Sequence, residues 1–228
     1  MNLRLLCMVL FLLFIALSCS VAPVFHSPNR LYNLPATIFL HHGDSVQGIL
    51  NLNNEVMIKK VKIKSGSSKN AARYHLLEIT SYKTAEEHYE LKHLMGSSIL
   101  GKTDYFMKRL TPTGSDIHLY EHKERHSEHR SGKPVVYRPK YYVQFPNEHR
   151  NAVWALDSER LVPHFHQKMG AVVEVCADLK QKINNKIKGY HYTQFNTSEK
   201  DRAEVVMRII NEYNYCQKAK AFSFRNDE

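Results

Sequence analysis

Three histidines, His122, His126 and His129, lie within the polar stretch Glu121–Arg130. On a helix, steps of four and three residues would set all three imidazoles on one face. Converging imidazole nitrogens are what zinc or copper asks of a protein. His41-His42 and His164-x-His166 would add ligands only if the fold brought them near. The stretch is polar throughout, is followed by Ser131-Gly132 and sits between two strand-like segments, so a solvated loop is the competing expectation. Zinc at His122, His126 and His129 is the one cofactor the sequence suggests.

Other constellations are thinner. Gly43-Asp44-Ser45-Val46 resembles the nucleophile block of the GDSL-type esterases, in which a late Asp-x-x-His supplies the base. The chain has no Asp-x-x-His and no G-x-S-x-G elbow. A Gly-Asp turn between two strands accounts for the same residues. Glu86-Glu87 and the pair Asp157 and Glu159 offer carboxylates for glycoside hydrolysis, but no cleft pattern accompanies them. No complete catalytic set emerges.

The cysteines depend on the N-terminus. Arg4 precedes an apolar run of 13 residues, Leu5 to Leu17. That is shorter than the roughly 20 residues a membrane-spanning helix needs. The run ends in Ala16-Leu17-Ser18-Cys19-Ser20-Val21-Ala22 and reads as an export signal over residues 1–22. Cleavage after Ala22 uses Ser20-Val21-Ala22. Cleavage before Cys19 treats Ala16-Leu17-Ser18-Cys19 as a lipobox and makes Cys19 a lipidated first residue. Two acyl chains on one residue would anchor the protein stably. Cys7 leaves with the signal, so Cys176 and Cys216 remain. In an oxidising compartment they are a candidate disulfide, and otherwise two buried thiols. The loop they would close is about 40 residues long, for which chain entropy gives about 4 kcal/mol at most. Their wide separation favours a structural bond over a redox pair.

Without the signal, about 200 residues remain, enough for one large domain or two small ones. The formal charge of +10 falls to about +9 once Arg4 is gone. The basic residues are spread along the chain, as at Lys59, Lys60, Lys62, Lys64 and Lys69. They suit a solvated surface, or contact with anionic lipid headgroups or an acidic polymer. Export and the lack of any recognised nucleic-acid module point away from nucleic acid as a partner.

The supporting elements follow from periodicity. Residues 23–35 carry three prolines and read as an extended tether. Residues 36–160 read as a β-rich domain. Thr37–His41 and Val46–Leu50 flank a hairpin turn. Val56–Ile63 alternates with a phase shift, Tyr74–Ser81 is a further strand, and Ala85–Met95 fits a short helix or a hairpin. Asp104–Leu110, Ile117–Tyr120, the alternating Val135, Tyr137, Tyr141, Val143 and Phe145, and Ala152–Leu156 complete a second set of strands. From residue 161 the period changes. Phe165, Met169, Val172, Val173, Cys176, Leu179, Ile183 and Ile187 recur at steps of three and four, one helix opened by Pro163 and closed by Gly189. Ser198 caps a second helix bearing Ala203, Val206, Met207, Ile210 and Tyr213. Together they predict a helical hairpin over 161–218 and a tail over 219–228. The fold class expected is α+β: an antiparallel β-rich body, sandwich or barrel-like, followed by an antiparallel helix hairpin. A Cys176–Cys216 bond would staple that hairpin.

Three stretches carry a family resemblance: Ile38-Phe39-Leu40 with Gly43-Asp44-Ser45-Val46-Gln47-Gly48-Ile49-Leu50; Tyr105-Phe106-Met107-Lys108-Arg109-Leu110 with Ile117-His118-Leu119-Tyr120-Glu121; and Cys176-Ala177-Asp178-Leu179 with the ending Ile209-Ile210-Asn211-Glu212-Tyr213-Asn214-Tyr215-Cys216. They resemble uncharacterised envelope proteins of Bacteroidetes bacteria, which join a signal peptide or lipobox to a β-rich domain and a helix pair ending in Tyr-Asn-x-Cys. The resemblance covers most of residues 37–217, and the His-rich insert at 121–133 departs from it. It implies compartment and architecture, and no catalytic residue.

The resulting expectation is an exported, lipid-anchored envelope protein with a binding or structural role and no identifiable catalytic activity. Its partners would be the membrane through its anchor, and another envelope protein or a polysaccharide. It would be an outer-membrane or periplasmic lipoprotein if Cys19 is lipidated, and secreted or periplasmic otherwise. The alternatives are a metal-binding protein using the histidine segment, or a hydrolase with dispersed site residues.

Overall fold

The computed structural model describes residues 22–55, 60–65, 70–96, 103–126, 135–146, 148–149 and 151–226. The apolar run, Cys19, His129 and Val56–Lys59 lie outside them. The first hairpin forms where the turn residues predict it, from β2 (Arg30–Leu40) and β3 (Ser45–Asn53). Gly43 has a φ of 95°, which side chains resist, and its amide donates to the Leu40 carbonyl at 3.1 Å. Gly48 is required for a different reason. A Cβ there would lie 2.3 Å from the Lys64 carbonyl oxygen, at the end of β4 (Lys60–Lys64).

Strand β5 (Ala72–His75) pairs with β4, and a 3-10 turn at Leu76–Glu78 separates it from β6 (Ile79–Lys83). The single strand expected over Tyr74–Ser81 is therefore broken. The Glu78 carboxylate accepts from the His75 amide at 2.9 Å, and this local bond competes with the ladder. Residues 85–95 resolve as strand β7 (His88–Leu94). The remaining strands are β8 (Asp104–Arg109), β9 (His118–His126), β10 (Val136–Gln144) and β11 (Ala152–Ala155).

Hydrogen bonding orders the strands β11-β10-β9-β8-β7-β6-β2-β3-β4-β5. A parallel pairing of β11 with β7, Ala152 opposite His93 and Val153 opposite Leu94, closes β7 to β11 into a five-stranded ring. The sheet is thus a closed, barrel-like ring with an open extension, and the α+β reading with a β body before the helices holds.

Strand alternation sorts the side chains into three cores. Met107, Tyr120, Tyr142 and Val153 fill the ring. Tyr89, Leu91 and Phe106 face the other way, onto Ile38, Leu50, Ile79 and Tyr82 of the extension. Leu119 and Val143 face the helices.

The proline-rich segment 23–35 is not a tether. It contains β1 (Val24–Ser27) and the first half of β2, with β1 antiparallel to β2. Pro28 occupies the turn between the two strands, and Pro35 falls between the part of β2 that β1 pairs and the part that β6 pairs, where no ladder on that side calls for its N–H. Asn29 fixes the segment. It is 1% exposed, its Oδ1 accepts from the Phe106 amide at 2.8 Å and its Nδ2 donates to the Phe106 carbonyl at 2.9 Å. One side chain thus imitates a strand against β8.

The helices differ from expectation in one respect. The stripe from Phe165 to Ile187 divides into α1 (Phe165–Val172) and α2 (Ala177–Asn184). The break falls on Val173-Glu174-Val175-Cys176, where β-branched residues lower helix propensity. Helix α3 (Glu199–Asn226) follows Ser198, whose Oγ accepts from the Asp201 amide at 3.1 Å, the expected cap. The helix runs through 219–226, so no separate tail begins at 219. Cys176 and Cys216 form a disulfide with Cα atoms 6.2 Å apart, joining the start of α2 to α3.

Candidate binding site at the ring mouth

Polar residues reach the ring interior because they alternate with the apolar residues that face the other cores. Glu90 and Lys92 lie two apart on β7, Arg109 ends β8, His118 and Tyr120 begin β9, and Gln144 ends β10. Together they line one mouth of the ring, a cavity of about 440 Å³ that Ser81, His88 and Thr113 also border.

Glu90 is the centre of this cluster. Its Oε1 accepts from Arg109 Nη1 at 2.9 Å. Its Oε2 meets Lys92 Nζ at 3.0 Å and the Tyr120 hydroxyl at 3.1 Å. Lys92 has a side chain only 5% exposed. Its ammonium also donates to Gln144 Oε1 at 3.1 Å and lies 4.6 Å from the centre of the Tyr120 ring. Burial alone would raise the Glu90 carboxyl, but the Lys92 charge and hydrogen bond, Arg109 and Tyr120 outweigh it and hold the group below the usual carboxylate range. Burial, reinforced by Glu90, pushes the Tyr120 hydroxyl well up.

Two imidazoles flank these charges. His118 Nδ1 lies 3.2 Å from Thr111 Oγ1, which itself accepts from the Leu119 amide at 3.3 Å. Burial and then Arg109 lower the His118 pKa. Burial lowers His88 as well, against the pull of Glu90 and with Arg109 and Lys83 acting in the same direction as burial. The mouth thus holds two fixed cations, one carboxylate and two imidazoles that resist charge. Lys92 is an ammonium in an ion pair rather than a free amine, and Tyr120 is held against ionisation.

The residues singled out from the sequence lie elsewhere. His122 and His126 are on a strand, so four residues separate them by about 13 Å rather than by one helical turn, too far apart to share an ion. His122 is buried in the ring, its ring centre 4.6 Å from that of Tyr105 and its Nδ1 3.4 Å from Asn29 Nδ2. His126 is exposed at the end of β9. Among the described residues no three His, Cys, Asp or Glu side chains converge on a possible metal position. At the hairpin turn His42 Nε2 pairs with Asp44 Oδ2 at 3.0 Å, both largely exposed, and Ser45 opens β3. Glu87 pairs with Lys108, and Asp157 faces Arg202 at 4.0 Å, so these carboxylates serve packing and surface. Glu90, Lys92, Arg109, Tyr120 and Gln144 went unread. The available signal was Glu90-x-Lys92, two charges on the face of β7 opposite Tyr89 and Leu91.

No family model matches the chain, and no curated protein or solved structure proves similar to it.

A second histidine group sits beside the helices. The His166 and His191 rings lie 5.9 Å apart, and each has its Nδ1 covered without a hydrogen-bond partner among the described residues. Burial and then Lys186 lower both pKa values. With His88 and His118, four histidines titrate below the ordinary 6.5 in the folded chain. As pH falls through 6.5 the unfolded chain takes up protons that the folded chain refuses, so stability falls on acidification. Glu90 and Glu212, both held below the ordinary 4.5, extend the loss in the same direction at lower pH. The urea midpoint is expected to drop steadily from neutral pH through this range. A midpoint that is flat or rises between neutrality and 5.5 would contradict these environments.

Proposed function

We infer that this chain is an exported envelope protein, held to a membrane by acyl chains on Cys19, whose folded body binds rather than catalyses. The Cys176–Cys216 disulfide carries this reading, because such bonds persist in oxidising compartments and are rare in the cytosol. The apolar run before Cys19 supplies the export route, and the sequence resemblance to Bacteroidetes envelope proteins agrees with it. A binding role is supported by the ring mouth, where Glu90, Lys92, Arg109 and Tyr120 are committed to one another. The partner would be another envelope protein or a polysaccharide. Intact mass and N-terminal sequencing of the mature protein from a bacterial envelope fraction provide the test. Acylated Cys19 as the first residue is expected. A mature chain that begins at Pro23 without acyl mass, or one recovered from the cytosol with its first residues intact, would overturn the anchor.

A further inference from the structure

We propose that the ring mouth is a binding site for a small oxyanion, a carboxylate or a phosphate, held chiefly by Arg109 with support from Lys92, Ser81 and the flanking imidazoles. The inference deepens the binding role above by giving it a place and a ligand class.

The argument starts from hydrogen-bond capacity. Both oxygens of Glu90 are already engaged, by Arg109 on one side and by Lys92 and Tyr120 on the other. Glu90 therefore offers little to a cationic ligand, and its effect is to hold the two cations in place. Arg109 is not exhausted. A guanidinium has five N–H donors. Nη1 meets Glu90 and Nη2 donates to Thr113 Oγ1 at 2.9 Å, and no other protein acceptor engages the group among the described residues. Its side chain is 20% exposed and borders the cavity, so its remaining donors are within reach of a ligand. Ser81 is buried at the cavity wall, and its hydroxyl has no hydrogen-bond partner among the described residues. A planar donor fork with a spare hydroxyl beside it matches the paired oxygens of a carboxylate or phosphate.

Charge and size agree. Two cations against one carboxylate leave the mouth with one excess positive charge, and His88 and His118 border it, their pKa values lowered first by burial and also by Arg109. An anion seated on Arg109 would cancel that excess and make both imidazoles easier to protonate. The volume of about 440 Å³ falls within the range of small-ligand sites, about 300–1,000 Å³. It admits an oxyanion carried on a sugar-sized group as well as a free one.

The test uses the mature, disulfide-bonded protein and reads the ring protons of His118 and His88 by NMR during titration with inorganic phosphate, D-glucuronate and, as neutral control, glucose. Saturable shifts are expected with at least one anion and none with glucose, with an upward move of the His118 titration midpoint. Saturation by phosphate alone assigns a phosphate ligand, and saturation by glucuronate alone assigns a sugar acid. Arg109→Gln should weaken binding on the order of tenfold or more, as expected for a lost charge-assisted hydrogen bond. Ser81→Ala, which leaves every ion pair intact, should weaken it less but measurably. No saturation with either anion and an unmoved His118 midpoint would overturn the site, as would undiminished affinity in both variants. A flat titration of a protein that still carries acylated Cys19 removes the ring-mouth ligand and leaves the envelope reading standing.

Discussion

Replacing Glu90 by Gln is expected to destabilise the folded chain by about 3 kcal/mol, the low end of what breaking a buried ion pair costs. The substitution keeps the shape of the side chain and removes its charge. Lys92, with a side chain only 5% exposed, is a buried ammonium that loses the Glu90 charge. Gln144 Oε1, 3.1 Å from Nζ, still accepts a hydrogen bond, which keeps the loss from reaching the upper end of the range. Arg109, 20% exposed and also bonded to Thr113 Oγ1, keeps a partner and some contact with water when Glu90 loses its charge. Two further outcomes identify the cause. Lys92→Met in the Glu90→Gln background should recover most of the loss, since the buried ammonium is then gone as well. The Glu90→Gln variant should also lose less stability than the parent as pH falls below the ordinary carboxyl value of 4.5. The depressed Glu90 pKa stabilises the parent above that range and ceases to do so as the carboxyl protonates, and the variant lacks this contribution. Urea unfolding of the three proteins measures all of this. A loss under 1 kcal/mol, or a double variant no better than the single one, would mean that the pair is solvated rather than buried.

The same ring shows why the fold was more legible than the site. Strand alternation, turn residues and the change of period at residue 161 are local signals, and each produced its element: the Gly43 hairpin, strands β8 to β11 and the Ser198 cap. Ring closure is not local. Nothing near Ala152 or His93 announces that β11 will lie parallel to β7, and only that pairing brings Glu90, Arg109, Tyr120 and Gln144 to one mouth. The histidines misled for a related reason. Steps of four and three acquire chemical meaning only on a helix, whereas the ladder from Val136–His126 to Gln144–His118 commits the segment to a strand. Pro28 and Pro35 suggested a tether because prolines disfavour ladders, but one sits in a turn and the other in a gap between two partners. Asn29, which fixes that segment, has no sequence signature, since its role depends on Phe106 far along the chain.

Removal of the disulfide is expected to cost about 2–4 kcal/mol, with the chain-entropy value for a loop of 40 residues as the upper limit. Helix α2 gives the reason. It is eight residues long, and isolated helices of fewer than about 12 residues are marginal in water. It holds to the body through Leu179 and Ile183, which share a core with Val206, Ile209, Ile210 and Tyr213, and through the bond at its own first turn. The valine-rich break before Cys176 removes the support that a continuous helix from α1 would have supplied. A Cys176→Ala, Cys216→Ala double variant avoids a stray thiol and leaves the surrounding packing nearly intact. Its urea midpoint should fall, and hydrogen exchange should show amide protection in Ala177–Asn184 dropping more than in β8 or β9. The ring has its own core of Met107, Tyr120, Tyr142 and Val153, and the disulfide lies wholly within the helical part, so the ring's protection should fall only with the global stability. A midpoint within the error of the parent would make the bond incidental. Equal loss of protection in ring and helices would show that the staple acts on the unfolded chain alone and not on the docking of α2.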